Sequence, residues 1–237
     1  MAAADEHTVL SVRGEASRTV APDQASLFGS VTHVADSKRV ASSAATAGLA
    51  EVLAELAGLG GQPLTVQTTR SPLTWSTQSI HTHEEHNHRP SGEYGPTGRH
   101  VATAAVVVSV RDFGRLDAVG AVLTSRDAVD VHSVNWSVDD DNPEWAAVRA
   151  DAIHAALRKG QDYASALGGS IVRVEHVADA GLLGGGASGH MGAGMDMALA
   201  SAAGGEPDAV SLDPVPQVLS ATIEARLRAV VEPLLEP

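Results

Sequence analysis

The sequence predicts an α+β protein, in which a largely antiparallel β-sheet of hairpins carries two long helices packed on it. The first observation is that segments with alternating apolar and polar residues outnumber helical segments and mostly come in consecutive pairs. The second is that the elements follow the order ββαββαβαββ, with helices between hairpins rather than in single crossovers. That order favours an antiparallel sheet with the helices on one face.

The predicted strands begin with a pair at 8–20 and 24–35. Pro22 and Asp23 separate these segments and are typical turn residues, so we expect a β-hairpin here. The clearest alternation is near the C-terminus, where small and aliphatic residues recur at every second position over 218–231. Further strands are predicted at 64–70, 99–112, 131–138 and 170–179.

Two long helices and one short helix are predicted between the strands. The first long helix covers 36–58 and is followed by a pair of glycines. Its apolar stripe of helical period comprises Val40, Ala44, Ala47, Val52, Leu56 and Leu59. The best helical segment lies within 139–169, where Asp141 or Asn142 is suited to cap the first turn. The short helix is expected at 113–125.

The composition is that of a folded, acidic domain. The formal net charge is −13 and the basic residues are scattered, so we expect no nucleic-acid partner, because phosphate backbones would be repelled. The chain has no cysteine, which excludes disulfides, thiolate catalysis and cysteine-ligated metal sites. Aromatic residues make up only 3%, so small aliphatic residues must form the core. We expect a single domain over 1–237 with a flexible N-terminus at 1–7.

The N-terminal segment gives an expectation for localisation. Residues 1–10, MAAADEHTVL, contain neither the basic stretch nor the apolar core of a secretory signal. The most strongly apolar stretch, at 101–110, is too short to span a bilayer. We therefore expect a cytoplasmic protein without a transmembrane segment. An envelope location would follow if a leader had been removed.

A histidine cluster is the most distinctive local feature of the chain. It lies in 71–98, which we interpret as a long hairpin connection rich in proline and glycine. Its candidate metal ligands are His81, His83, His86 and His88. If the first pair lies on one strand and the second on the returning strand, four imidazoles can bind zinc, nickel or copper. The alternative is a solvated loop that binds metal weakly or by accident, because no apolar residues anchor the ligands.

Other motifs are better explained without a ligand. The glycines in 184–189 fit the pattern G-x-G-x-x-G, but no convincing crossover helix follows them, as a dinucleotide site requires. The acidic stretch 139–144 offers oxygen ligands for calcium but lacks the glycine and distant glutamate of an EF-hand, so helix capping explains it better. The Gly- and Met-rich segment 181–208 is expected to be a flexible loop. Nothing in the sequence compels an enzyme, so we expect no catalytic residues and no required cofactor.

Several stretches together resemble the SIMPL-domain (DUF541) family. VLSVRGEASRTVAPDQASLFGSV at 9–31 resembles its opening strand, G-E and P-D, and RHVATAAVVVSVRDFGRLDAVGAVL at 99–123 resembles a strand leading into a V-x-D helix. VNWSVDD at 134–140 and the Ala-rich helix and strand at 146–177 follow in the family's order. The resemblance implies an α+β domain not known for catalysis. Some members form large hollow oligomers, and others are linked to stress tolerance or to signalling through protein contacts.

Two functional hypotheses follow from the residues and the resemblance. The first is a non-enzymatic protein that assembles into a homo-oligomer and acts through contacts with an unidentified protein partner, in a stress response or in signalling. The small-residue core and the long projecting hairpin fit this hypothesis. The second is a metal-binding or metal-buffering protein that uses the histidine cluster, with ligands from several subunits brought together by symmetry.

Overall fold

A computed structural model of the chain describes residues 7–88, 92, 94–183 and 212–232. The α+β class and the predominance of antiparallel pairing are confirmed. The strands are β1 His7–Val20, β2 Gln24–Ala35, β3 Gln62–Pro63, β4 Leu73–Thr77, β5 His81–His88, β6 Tyr94–Val110, β7 Val129–Ser137, β8 Ser170–Asp179 and β9 Gln217–Val230. The helices are α1 Lys38–Gly58, α2 Leu116–Thr124 and α3 Glu144–Ala166, with a 3-10 turn at Phe113–Arg115.

The described residues fall into two compact units. The first unit draws on Met1–Val20, Asp140–Gly205 and Val218–Pro237, and it contains α3 and a three-stranded sheet in the order β1-β9-β8. The second draws on Ala21–Asp139 and Glu206–Gln217. It contains α1, α2 and a six-stranded sheet in the order β3-β4-β6-β2-β7, in which β5 also pairs with β6. We refer to them as the three-stranded unit and the six-stranded unit.

In the three-stranded unit, small residues let α3 pack closely on the sheet. The buried face of the helix recurs every fourth residue and consists of Val148, Ala152, Ala156, Gly160 and Ala164. The sheet presents the alternating residues that the sequence predicts in β9, of which Leu219, Ile223, Ala225, Leu227 and Ala229 are buried. Gly14 of β1 lies where a side chain would overlap the α3 backbone. Close approach of strand and helix therefore depends on the absence of a Cβ at this position.

In the six-stranded unit, α1 and α2 pack on one face of the sheet. The core there combines Leu27 and Val31 of β2 with alternate residues of β6 and with Leu56 of α1, all at most 1% exposed. The predicted stripe of α1 is partly wrong, because Val40 is 48% exposed while Ala41 is fully buried. The N-terminal half of α1 is rich in Ala and Ser, so two sets of residues at helical spacing could face the sheet. The set with the smaller side chains does so, because it lets the helix approach the sheet more closely.

By length and composition alone, α1 is also apolar enough to cross a membrane. The same criterion is met by the core helix of a soluble protein, and α1 buries one face on the sheet. This property therefore does not assign the helix to a membrane.

The predicted hairpin between the first two strands is wrong. β1 belongs to the three-stranded sheet, whereas β2 pairs with β6 and β7. The turn at Pro22 and Asp23 is instead hydrogen-bonded to the end of β7. The Asp23 amide donates to the carbonyl of Ser137 at 2.8 Å. A turn signal between two alternating segments identified both strands, but it did not specify which sheet each would join.

The strand predicted at 64–70 is also wrong. This segment forms turns, in which the Thr68 hydroxyl donates to the carbonyl of Pro63 at 2.8 Å and accepts from the Thr65 amide at 2.6 Å. Threonine hydroxyls compete with strand pairing in this way. The strand lies further on, at β4, within the segment that was interpreted as a connection.

Candidate interaction surfaces

The four histidines predicted as metal ligands lie on one strand of a β-hairpin. All of them belong to β5, and the returning strand β6 begins at Tyr94. The prediction that His86 and His88 lie on the returning strand is therefore wrong. The chain turns after both pairs, near Gly92, whose positive φ of 84° favours glycine.

The two histidine pairs have different surroundings. His81 and His83 are two residues apart, so both lie on the same face of β5. The rings of His86 and His88 pack on the ring of Tyr94, with centroid distances of 5.7 and 5.1 Å. Within the described residues, no group of three or more His, Asp or Glu side chains is placed to hold a metal ion. A zinc site usually needs three or four protein ligands, so completing one with these histidines requires ligands from elsewhere.

Within the described residues, one face of the six-stranded sheet is not covered by the helices of its own unit. α1 and α2 pack on the opposite face, which holds the buried residues of β2, β4 and β6. The face without helices, called the open face below, comprises Ser26, Phe28, Ser30, Thr32 and Val34 of β2, Val101, Thr103, Ala105, Val107 and Ser109 of β6, and Thr74 and Ser76 of β4, of which Thr74 is only 2% exposed. None of these side chains carries a charge.

Phe28 lies in the middle of the open face, opposite Val107 of β6 and Ser133 of β7. The chain contains only two phenylalanines, and the other, Phe113, packs edge-on against Trp136 at 5.5 Å. Phe28 and Val107 are half-buried and belong to neither hydrophobic core. In a chain so poor in aromatic residues, a half-buried phenylalanine in an uncharged surface is typical of a contact site.

The rim of the open face carries the ionisable groups that are nearest to it. Ser30 is only 4% exposed, and its hydroxyl is hydrogen-bonded to Nε2 of His132 at 2.9 Å. Asp130 lies opposite Ser30 on the edge strand β7. On the other side, His81 and His83 lie opposite open-face residues of β6. Asp130 and His132 therefore flank one long side of the face, and His81 and His83 flank the other.

The edge strand β8 exposes a second apolar surface, in the three-stranded unit. Within the described residues β8 pairs only with β9. Val172, Val174 and Val177 are 51%, 43% and 43% exposed. Val174 and Val177 lie opposite the buried Leu227 and Ala225, so they are on the α3 side of the sheet. They remain exposed because α3 packs mainly along β1.

A cavity of about 360 Å³ in the three-stranded unit has walls of mixed polarity. It is lined by Ser11, Val12, Arg13, Leu183, Glu224, Ala225 and Arg226. The guanidinium of Arg13 donates to Glu224 at 2.9 Å, and this bond is the main reason that the pKa of Glu224 lies below its usual range. Glu224 also accepts from the Leu183 amide at 3.3 Å, and Arg226 donates to the Leu183 carbonyl at 3.2 Å. Arg13 and Glu224 are thus paired with each other, and Arg226 is bonded to the backbone.

The acidic stretch at 139–144 has structural roles. Asp139 accepts two hydrogen bonds from Arg111, at 2.7 and 2.9 Å, and a further one from Arg70. The bonds from Arg111 are the main cause that lowers the pKa of Asp139. Asn142 accepts from the Glu144 amide at 2.9 Å, as expected of a residue that caps α3. Sequence reasoning missed the arginines because they lie 28 and 69 residues from Asp139 and no local spacing marks them.

The glycine pattern at 184–189 and most of the segment 181–208 lie outside the described residues, which resume at residue 212. The same is true of residues 1–6 at the N-terminus and of 89–91 and 93 at the hairpin tip.

The described residues define an α+β protein with two sheets in which antiparallel pairing predominates, and its most distinctive surfaces are an uncharged sheet face and an apolar sheet edge. The chain matches the family model SIMPL, described as a protein of unknown function (DUF541), over residues 10–227. The chain belongs to the SIMPL family, and the resemblance seen in the sequence is confirmed. No curated protein matches the chain significantly.

Proposed function

We propose that this protein is non-enzymatic, that it assembles into a homo-oligomer, and that it acts through protein–protein contacts. The observation that carries the proposal is the edge strand β8, with valines at 43–51% exposure beside a sheet edge that no described strand pairs with. Exposed edges that carry apolar residues are natural sites for contact with another chain. The stress-response or signalling role that the family resemblance implies is part of the same proposal.

The irregularity of β8 favours a closed assembly rather than a fibre. Its register with β9 shifts between Ile171 and Arg173 and again between Val174 and His176. Bulges of this kind interrupt continuous strand pairing, which is how natural edge strands avoid unlimited association. We therefore expect contacts through side chains and a defined subunit number.

Light scattering after size exclusion tests the proposal at micromolar concentration. We expect a single mass that is a multiple of the 24.3 kDa chain. Val174→Lys should lower that mass, whereas Val66→Lys, at a turn residue that is 87% exposed, serves as the matched control and should not. A sharp peak at the mass of one chain would sink the proposal of self-assembly. A wild-type oligomer that Val174→Lys leaves intact would remove β8 from the contact.

The second candidate function is divalent-metal binding or buffering through the β5 histidines. It is favoured by the placement of His81 and His83 on one face of a strand, where two copies together would supply four imidazoles. Calorimetric titration with zinc, nickel and copper compares the wild type with a variant in which His81, His83, His86 and His88 are all alanine. Loss of binding in that variant supports the site, and His154→Ala with His176→Ala is the control pair. Tight binding that survives the quadruple substitution rules the site out.

A further inference from the structure

We infer that the open face of the six-stranded sheet is a second self-association surface, which packs face to face on the open face of another copy of this chain. The inference rests on the proposed self-assembly and adds a surface to it that is distinct from β8. Phe28 and Val107 form the apolar centre of this surface, and hydroxyl-bearing side chains surround them.

Charge identifies a second copy as the partner that this face fits. Each chain has a formal net charge of −13, so two copies repel one another wherever their acidic surfaces meet. The open-face residues of β2, β4 and β6 carry no charge, and Arg99 of β6 lies beyond Val101, at the end of the face. A close approach of two acidic copies is least opposed at such a surface, and depletion of charge is typical of the buried centre of an interface.

The size of the face is close to what a stable dimer needs. Counted with its rim strands β5 and β7, it is four strands wide, because β4 and β5 follow one another along the same edge of β6, and β2 pairs with β6 over eleven residues. With strands about 4.8 Å apart and about 3.4 Å per residue, this gives about 600–700 Å². Standard interfaces bury about 800 Å² per partner, and facing sheets pack about 10 Å apart with interdigitating side chains.

The rim groups are complementary under a two-fold axis that runs parallel to the strands. Such an axis places the β5 edge of one copy over the β7 edge of the other. Through the pairing with β6, His81 is level with Thr32 of β2, and Asp130 is level with Ser30. The offset is two residues, or about 7 Å along the strand. His81 of each copy then lies near Asp130 of the second copy, on both sides of the interface.

The test places a charge at the centre of the face. Val107→Lys should reduce the mass measured by light scattering by half or more, because two lysines would be buried against each other across the two-fold axis. Val40→Lys, on the exposed side of α1 in the same unit, is the matched control and should keep the wild-type mass. A Val107→Lys variant with a native circular dichroism spectrum and an unchanged mass would overturn the inference.

Cysteine cross-linking tests the same surface even if Val107→Lys does not fold. The chain has no cysteine, so Val107→Cys introduces a single thiol with little change in volume. A short bis-maleimide should link two copies of Val107→Cys but not of Val40→Cys. Absence of the Val107→Cys dimer, in an oligomeric protein, would refute this surface alone. A wild type that is monomeric would instead refute self-assembly as a whole, so the two failures are distinguishable.

Discussion

Replacement of Gly14 by alanine tests the packing of β1 against α3 in the three-stranded unit. A Cβ at this position would overlap the carbonyl oxygen of Ala152 and would lie 2.5 Å from the amide nitrogen and 2.8 Å from the Cβ of Ala156. Two of these three atoms belong to the helix backbone, so no side-chain rotation relieves the overlap. The helix as a whole must move away from the strand.

The magnitude follows from the cost of overpacking a core, which is typically about 1–3 kcal/mol. Because helix backbone must shift, we expect Gly14→Ala to be at the upper end, about 3 kcal/mol. For a chain of this length, each kcal/mol lowers the thermal midpoint by about 2–4 °C, so the expected decrease is about 6–12 °C.

Two other glycines calibrate this effect. At Gly160 a Cβ would overlap Cδ1 of Leu227, the far end of a flexible side chain, and would lie 3.1 Å from Cδ1 of Ile171. Gly160→Ala should therefore cost less than Gly14→Ala, about 1 kcal/mol, since alanine also favours the helix. Gly58, at the end of α1, has no atom within 4 Å of its added Cβ, so Gly58→Ala should be neutral or stabilising by up to about 1 kcal/mol.

Thermal and urea unfolding, followed by circular dichroism at one protein concentration, measures all three variants. The expected order of stability is Gly58→Ala, then Gly160→Ala, then Gly14→Ala. A Gly14→Ala variant with the wild-type midpoint would show that β1 and α3 are not in close contact, and the described packing of this unit would then be wrong.

Three further predictions concern the six-stranded unit. Asp139→Ala should lower the free energy of unfolding by about 1–3 kcal/mol in urea titrations, because it leaves the largely buried Arg111 without its carboxylate partner. Asp112→Ala, in an exposed pair, should cost less than about 1 kcal/mol, and equal losses would contradict the burial argument. Since the pKa of Asp139 is lowered in the folded state, its stabilisation is complete well above its ordinary pKa of 3.8 and is lost as the pH falls through the lowered value; the difference between wild type and Asp139→Ala should therefore shrink in acid, and a constant difference would refute this assignment. Leu56→Ala should cost about 2–5 kcal/mol in the same assay, while Val40→Ala should change stability by less than about 0.5 kcal/mol. Comparable losses at the two positions would restore the stripe predicted from the sequence, which contains both residues.

Local sequence patterns predicted the helices and strands well where apolar residues recur with the period of the element and form its buried face. The alternation of β9 and the long helix α3 were recognised because one face of each is apolar and packs against the other. The partner of each strand was harder to predict. The turn at Pro22 has the same local chemistry whether the chain folds back on itself or passes to another sheet, so the expected β1–β2 hairpin was wrong.

The candidate surfaces were only partly visible in the sequence. The histidine cluster was evident, but its division into two environments depends on the placement of the turn near Gly92 and on contacts with Tyr94. The open face was not recognised, because its residues come from strands far apart in the chain and no short window shows that all of them are uncharged. The Arg111–Asp139 pair was missed for the same reason.

The mass of the wild-type protein in solution tests the central claim of self-assembly most directly. Light scattering after size exclusion, at micromolar concentration, should be run once with EDTA and once with zinc. A single mass at a fixed multiple of 24.3 kDa in both conditions is the result that self-assembly through the protein's own surfaces predicts. A mass of one chain in both conditions would contradict the claim, and an oligomer that forms only with zinc would assign assembly to the histidines of β5.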